Sequence, residues 1–432
     1  MGDRFYIEDA SKFDGQVVEV KGWIYNKRSS GKIKFVILRD GTGLMQGVLF
    51  KGECEDQAFE DFEKLTQESS VIVTGTIRKE PRSVGGYELG VKKIKIVHVA
   101  DAYPISHKEH GVEFLMEHRH LWMRTPRQSA ILRVRWEIIR AIRQFFDERK
   151  FVLFDAPILT PSSCEGTSTL FSTPYFDTKA YLTQSGQLYG EVGAMALGKV
   201  YVFGPTFRAE KSKTRKHLTE FWMMEPEMAW YDLNDNMELA EQMIEFIVQS
   251  VLKNNKEDLK TIGRDISKLE KIKAPFPRIH YNEAIKVLES KGVGVPWGED
   301  FGAPQETALG EAFEGMPVFI HRFPHQIKGF YFKRDPEDPK MALGCDLIAP
   351  DGFGEIIGGG QREDDYETLK LRIKEYGLSE KDYDWYLDLR KYGSVPHSGF
   401  GLGIERTVTW ICGLEHVREA IPFPRMIHTL KP

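Results

Sequence analysis

Two short segments carry residue types that together could handle a polyphosphate. In the first, Gly204-Pro-Thr-Phe-Arg208-Ala-Glu210, an arginine stands two positions before a carboxylate. On an extended strand these side chains share a face, because successive side chains alternate. A guanidinium can clamp phosphate oxygens, and a carboxylate beside it can help hold a metal or an amine. The loop that follows crowds Lys211, Lys213, Arg215 and Lys216 ahead of His217-Leu218-Thr-Glu-Phe221, where a polyphosphate could be received. The second segment is Ser398-Gly-Phe-Gly-Leu-Gly403-Ile-Glu-Arg406. Glycines at 399, 401 and 403 allow a ligand close to the backbone, and Arg406 opens the next helix. Taken singly, each segment reads equally well as a surface turn or a structural ion pair.

A scaffold must hold these segments, and the hydrophobic pattern outlines one. Gln16–Tyr25, Ile33–Asp40 and Leu44–Phe50 alternate as strands, separated by Ser30-Gly31 and by Asp40-Gly41-Thr42-Gly43. The stretch 56–67 has helical spacing, with Phe59, Phe62 and Leu65 on one side, and Val71–Lys79 and Tyr87–Val99 are again strands. This β-β-β-α-β-β order suits a five-stranded OB barrel over residues 1–100; another small β module is the competing reading. Residues 101–126 have no clear period and read as a linker. From residue 127 to 432 the chain alternates helices and strands, an α+β domain. Its clearest helix is Gln128–Lys150, with Ile131, Val134, Ile138, Ile142 and Phe145 on one stripe. Strands are expected over Val200–Phe207, Glu220–Trp230, Gly344–Leu347, Gly354–Ile357 and His397–Gly401. Residues 255–335 are harder to read and are a candidate insertion.

Composition narrows the class. The chain has 432 residues, 41% hydrophobic and 28% charged, as globular proteins do. Nothing approaches the run of about 18 apolar residues that a membrane helix requires, and the polar start gives no signal peptide. The cysteines, Cys54, Cys164, Cys345 and Cys412, form no CxxC pair, so a reducing, cytoplasmic setting is expected. A net charge of −5 does not announce a nucleic-acid binder, although a local basic face would suffice.

The two chemical segments, in this order, resemble motifs 2 and 3 of the class II aminoacyl-tRNA synthetases. The long helix followed by Phe151-Val-Leu-Phe-Asp-Ala-Pro157 resembles motif 1, which forms a dimer interface in that class. The resemblance spans essentially the whole chain. It implies a catalytic domain built on an antiparallel sheet flanked by helices, and an N-terminal OB barrel places the chain with the aspartyl, asparaginyl and lysyl enzymes. ATP is then a substrate. The resemblance implies that Arg208 holds its α-phosphate and that Glu210 and His217 lie near the adenine and outer phosphates. Phe221 would stack on adenine with Arg406 on the other face, and Leu218 and Gly403 would line the same site. Asp346 and Glu355 match an acidic pair that carries Mg²⁺. Two departures stand out. Relatives place arginine directly before the histidine, where this chain has Lys216, with Arg215 one earlier; and Gly360 stands where relatives often have serine.

The resemblance also implies an amino-acid pocket. Glu165, Gln187 and Glu225 match positions around the substrate's α-amino group, and Arg362 matches the residue that reaches the side-chain oxygen. Aspartyl enzymes carry SPQ-x-YK, whose lysine faces the β-carboxylate. Here the chain reads Ser185-Gly-Gln-Leu-Tyr-Gly190-Glu191. Without that lysine a buried aspartate is poorly compensated. Glu191 or Glu225 could instead accept from an amide NH₂. Asparagine and tRNA(Asn) are therefore the expected partners of a homodimer, and an aspartyl enzyme is the alternative. On the barrel, Arg28, Phe35, Gln46 and Glu88 match residues that hold the anticodon, amid the basic stretch Lys27, Arg28, Lys32, Lys34, Arg39. The competing reading is that Phe35 is barrel core, since Ile33 and Ile37 share its face.

Overall fold

The computed structural model describes residues 4–164, 170–212 and 214–432. They form two compact units, Met1–Val112 and Glu113–Pro432.

The first unit is a closed barrel of strands β1 (Val17–Ser30), β2 (Ile33–Arg39), β3 (Leu44–Phe50), β4 (Ser70–Lys79) and β5 (Tyr87–His98), in the order β1-β2-β3-β5-β4. The alternation read from sequence is the alternation of burial: Lys34, Val36 and Leu38 of β2 face inward, while Ile33, Phe35 and Ile37 are only half-buried. β1 runs on to Ser30, beyond the expected end. A bulge between Ile24 and Asn26 breaks the alternation there, and the polar continuation still pairs with β2. The helix Asp56–Lys64 lies between β3 and β4. A 3₁₀ turn at Ile7–Phe13, not foreseen, buries Ile7 and Ala10.

In the second unit the expected long helix is Pro126–Glu148, with proline in its first turn, where no amide donor is needed. Its apolar stripe is wholly enclosed within the unit, against Met237, Ile244 and Val248 of the helix Leu233–Asn254. That stripe therefore cannot meet a twofold copy. The apolar residues left exposed nearby are Trp136, Val152, Leu153, Ile158 and Leu159. The strands are β6 (Val152–Leu153), β7 (Leu159–Thr160), β8 (Ser172–Tyr175), β9 (Thr178–Leu182), β10 (Lys199–Phe207) and β11 (Glu220–Ala229). They continue with β12 (Arg278–His280), β13 (Val318–Pro324), β14 (Met341–Ala349), β15 (Gly354–Gln361) and β16 (His397–Gly403). Eight of them make one sheet, β12-β13-β14-β15-β16-β11-β10-β6, antiparallel except for the pairs β12/β13 and β10/β6. The stretch 255–335 is thus not set apart from the sheet, because β12 and β13 form its edge. Its helices are short, from Ser267–Glu270 to Tyr281–Ser290, which is why no period was legible. The four cysteines form no disulfide, and no helix among the described residues is long and apolar enough to cross a membrane.

Candidate active site

Strand parity puts the chemistry on one face of the sheet. On β11, Met224 and Met228 enter the core beneath, while Met223 and Glu225 face a cavity of about 640 Å³. On β14, Leu347 goes to the core and Asp346 to the cavity; on β16, Leu402 and Phe400 go to the core and glycines 401 and 403 to the cavity.

At one end lie Arg208, Glu210, His217, Leu218, Phe221, Glu355, Gly403 and Arg406, all in the cavity wall. Arg208 and Glu210 are not on a strand as expected, because β10 stops at Phe207. The Arg208 amide still bonds the Thr219 carbonyl at 3.0 Å, which extends the ladder by one step. Its guanidinium lies 5.5 Å from the Phe221 ring centre. Arg406 donates to the Glu355 carboxylate at 3.2 Å and to its backbone carbonyl at 2.9 Å. Burial and then the nearby Arg406 and Arg208 lower the His217 pKa, so the ring is neutral at pH 7. Lys216, not Arg215, lines the cavity, and its Nζ reaches Glu306 at 3.2 Å. Lys213 lies outside the described residues.

Asp346 and Glu355 turn toward one spot. A carbon added to Gly358 would stand 2.7 Å from Glu355 Oε1 and 3.5 Å from Asp346 Oδ1. Lys328 donates to both Asp346 oxygens, at 2.6 and 2.8 Å. Burial raises the Asp346 carboxyl, with Lys328 pulling the other way. A carboxylate offers about four acceptor sites, so the lysine leaves room for a cation. Two carboxylates over a side-chain-free glycine fit a partly hydrated Mg²⁺. Gly360 has φ 151, and a carbon there would lie 2.2 Å from the Leu343 carbonyl oxygen. No serine could occupy it without moving β14.

At the other end are Gln187, Glu225 and Arg362. Glu225 accepts from the Ser185 hydroxyl and from the Gly186 amide at 2.8 Å. Arg362, 2% exposed, holds Glu227 through Nη2 at 2.5 Å and Nε at 3.2 Å. Its Nη1 has no hydrogen-bond partner among the described residues. Burial raises the Glu227 pKa, and Glu191 adds to the rise. A two-point contact with a guanidinium that cannot deprotonate nevertheless keeps the pair ionic. Gly399 makes room for this carboxylate: a carbon there would sit 2.2 Å from Glu227 Oε1. Glu191, expected to touch the amino acid, does not line the cavity. It is fully buried and committed to Arg390, Tyr386, His397 and Gln187. Glu165 falls outside the described residues.

The barrel carries a separate cluster on its outer side. Register sets Arg28 opposite Phe35, Ile37 opposite Gln46, and Gln46 opposite Glu88. Arg28 lies 4.4 Å over the Phe35 ring and donates to Gln46 at 3.5 Å, and Gln46 donates to Glu88 at 3.4 Å. Much of the basic stretch is engaged elsewhere. Lys34 is buried under Phe59 and bonds Glu63, Lys27 caps the Phe62 and Glu63 carbonyls, and Arg39 pairs with Glu68.

Comparison with known proteins decides the family. Residues 111–427 match the model of the class II tRNA synthetases (D, K and N), and residues 18–97 match that of the OB-fold nucleic acid binding domain. The asparagine–tRNA ligase of Desulforamulus reducens is 61% identical over 99% of both chains, and that of Pelotomaculum thermopropionicum 58% over 100% of both. The crystal structure of the Pyrococcus horikoshii asparaginyl-tRNA synthetase complexed with asparaginyl-adenylate is 45% identical and superposes with a TM-score of 0.96, covering 100% of each chain. The chain belongs to the class II asparagine–tRNA ligase family.

Within that family frame, the residues that went unread in the sequence include Glu306 and Lys328 of the cavity wall and Glu227, the buried partner of Arg362 behind it. Glu227 was findable, because on a strand it shares the parity of Glu225. Glu306 and Lys328 come from the stretch 255–335, where no residue pattern of a class II ligase was recognised.

Proposed function

We propose that the chain activates L-asparagine with ATP, giving asparaginyl-adenylate and pyrophosphate, and transfers the asparaginyl group to tRNA(Asn) with release of AMP. The observation that carries this choice of amino acid is the charge at the pocket end: Arg362 is the cation there and Glu227 already balances it. A second carboxylate from aspartate would bring uncompensated charge, whereas an amide brings none. Arg362 Nη1 remains to donate to the side-chain oxygen, and Glu225 lies in the same wall to accept from an NH₂.

In the first step the asparagine carboxylate attacks the α-phosphorus, and negative charge grows on the phosphate oxygens. Arg208 meets that charge, and pyrophosphate leaves toward Lys216. Phe221 and Arg406 sandwich the adenine, while neutral His217 donates or accepts a hydrogen bond without adding charge. Asp346 and Glu355 would hold Mg²⁺, which would supply neutralisation of phosphate charge. On the barrel, Phe35, Arg28, Gln46 and Glu88 form the anticodon platform. With its four cysteines outside any disulfide, a cytoplasmic site of action fits.

The deciding experiment is amino-acid-dependent ATP–pyrophosphate exchange without tRNA. Exchange is expected with asparagine and Mg²⁺ and to be far slower with aspartate; faster exchange with aspartate would sink the assignment. A homodimer is also expected, using the exposed apolar residues Trp136, Val152 and Leu153. Sedimentation at micromolar concentration should give twice the chain mass of 49.6 kDa, and a monomer would contradict it.

A further inference from the structure

A glutamine can show a ligand either of two faces. Turning its amide over exchanges a carbonyl acceptor for an NH₂ donor with almost no change of shape. At Gln187, in the wall of the amino-acid end, the choice decides whether an ammonium group is attracted or repelled.

Glu191 makes that choice. It lies one helical turn beyond Gln187, outside the cavity wall and fully buried. Its Oε1 takes the Gln187 Nε2 at 3.1 Å. An ionised carboxylate only accepts, so the Gln187 NH₂ must turn back toward it. The carbonyl Oε1 of Gln187 is then left for the cavity, and among the described residues none donates to it. Glu191 is kept ionised by its surroundings. Arg390 lies at 2.7 Å, His397 Nε2 at 2.9 Å and Arg362 at 4.0 Å, while the Tyr386 hydroxyl reaches both oxygens at 2.8 Å. Against the opposing effect of burial, Arg390 and His397 hold its pKa well below the ordinary carboxylate range.

We propose that Glu191 is a positioning residue that fixes the polarity of Gln187, so that the cavity presents an acceptor to the α-ammonium group of the amino acid. The proposal rests on the reading that the chain activates asparagine with Gln187 beside its α-amino group.

The test compares binding of L-asparagine with binding of succinamate, which is asparagine without its α-amino group, by calorimetry on the full chain. The native chain should prefer asparagine. Glu191→Gln frees the Gln187 amide to turn over and should reduce that preference by about ten- to a hundredfold, the range of a hydrogen bond to a charged group. The exchange Gln187→Glu with Glu191→Gln again places an acceptor at the cavity and should recover most of the preference. An unchanged preference in the single variant, or no recovery in the double, overturns the proposal. If Glu191→Gln does not fold, Glu191→Asp carries the test: it keeps the charge but withdraws it from Gln187, and a preserved preference then overturns the proposal. A native chain with no preference for asparagine would instead strike the functional reading itself.

Discussion

Arg208→Ala is expected to lower asparagine-dependent ATP–pyrophosphate exchange by about 10²–10³-fold, the usual loss when one contact to transition-state charge is removed. Arg208 stands just past the end of β10, in the cavity wall beside Phe221. Its backbone bond to Thr219 survives the substitution, so β10 and β11 stay paired. The melting temperature should accordingly change little, and the loss should fall on turnover rather than on folding. A variant with near-native exchange would show that the α-phosphate is held elsewhere.

Phe35→Ala should leave exchange almost untouched and weaken tRNA charging by roughly ten- to a hundredfold, because stacking one base on an aromatic is worth about 1–3 kcal/mol. The sequence left open whether Phe35 was core. Its side chain lies outside the barrel wall, under Arg28, while Lys34, Val36 and Leu38 fill the inside. Removing a core phenylalanine would cost about 3–5 kcal/mol; removing this one should not. Charging assays paired with a melting curve separate the cases. Normal charging, or a barrel that melts early, would remove Phe35 from the anticodon platform.

Much of this was legible because period-2 burial writes itself into composition. The barrel strands, and the gathering of Arg208, Glu210, His217, Phe221 and Arg406 in one cavity wall, emerged from alternation, glycine spacing and the resemblance those segments carry. What failed was depth. Glu191 follows Gln187 by one turn, so a helix puts both on one face, yet spacing does not say that the first reaches the cavity and the second stops behind it. The basic stretch failed for a related reason. Lys34 has the parity of Val36 and Leu38, which argued for burial, but it was counted with the basic stretch around the anticodon residues. Lys328 gave no signal at all: it lies in a stretch of short helices and turns, and its meaning depends on Asp346, a residue of the next strand.

The contact between Gly190 and Glu227 constrains how such a chain could change its substrate. A carbon on Gly190 would meet Glu227 Cγ at 3.1 Å. A lysine gained at 190 would press its Cβ on the Glu227 stem and bring a second cation near the carboxylate that balances Arg362. The first mutational step toward aspartate would cost the old substrate without winning the new one. Positions 190 and 227 are therefore coupled, and Gly399, which makes room for the Glu227 carboxylate, is coupled to them in turn. Any gain of charge at 190 is thereby coupled to the buried Arg362–Glu227 ion pair.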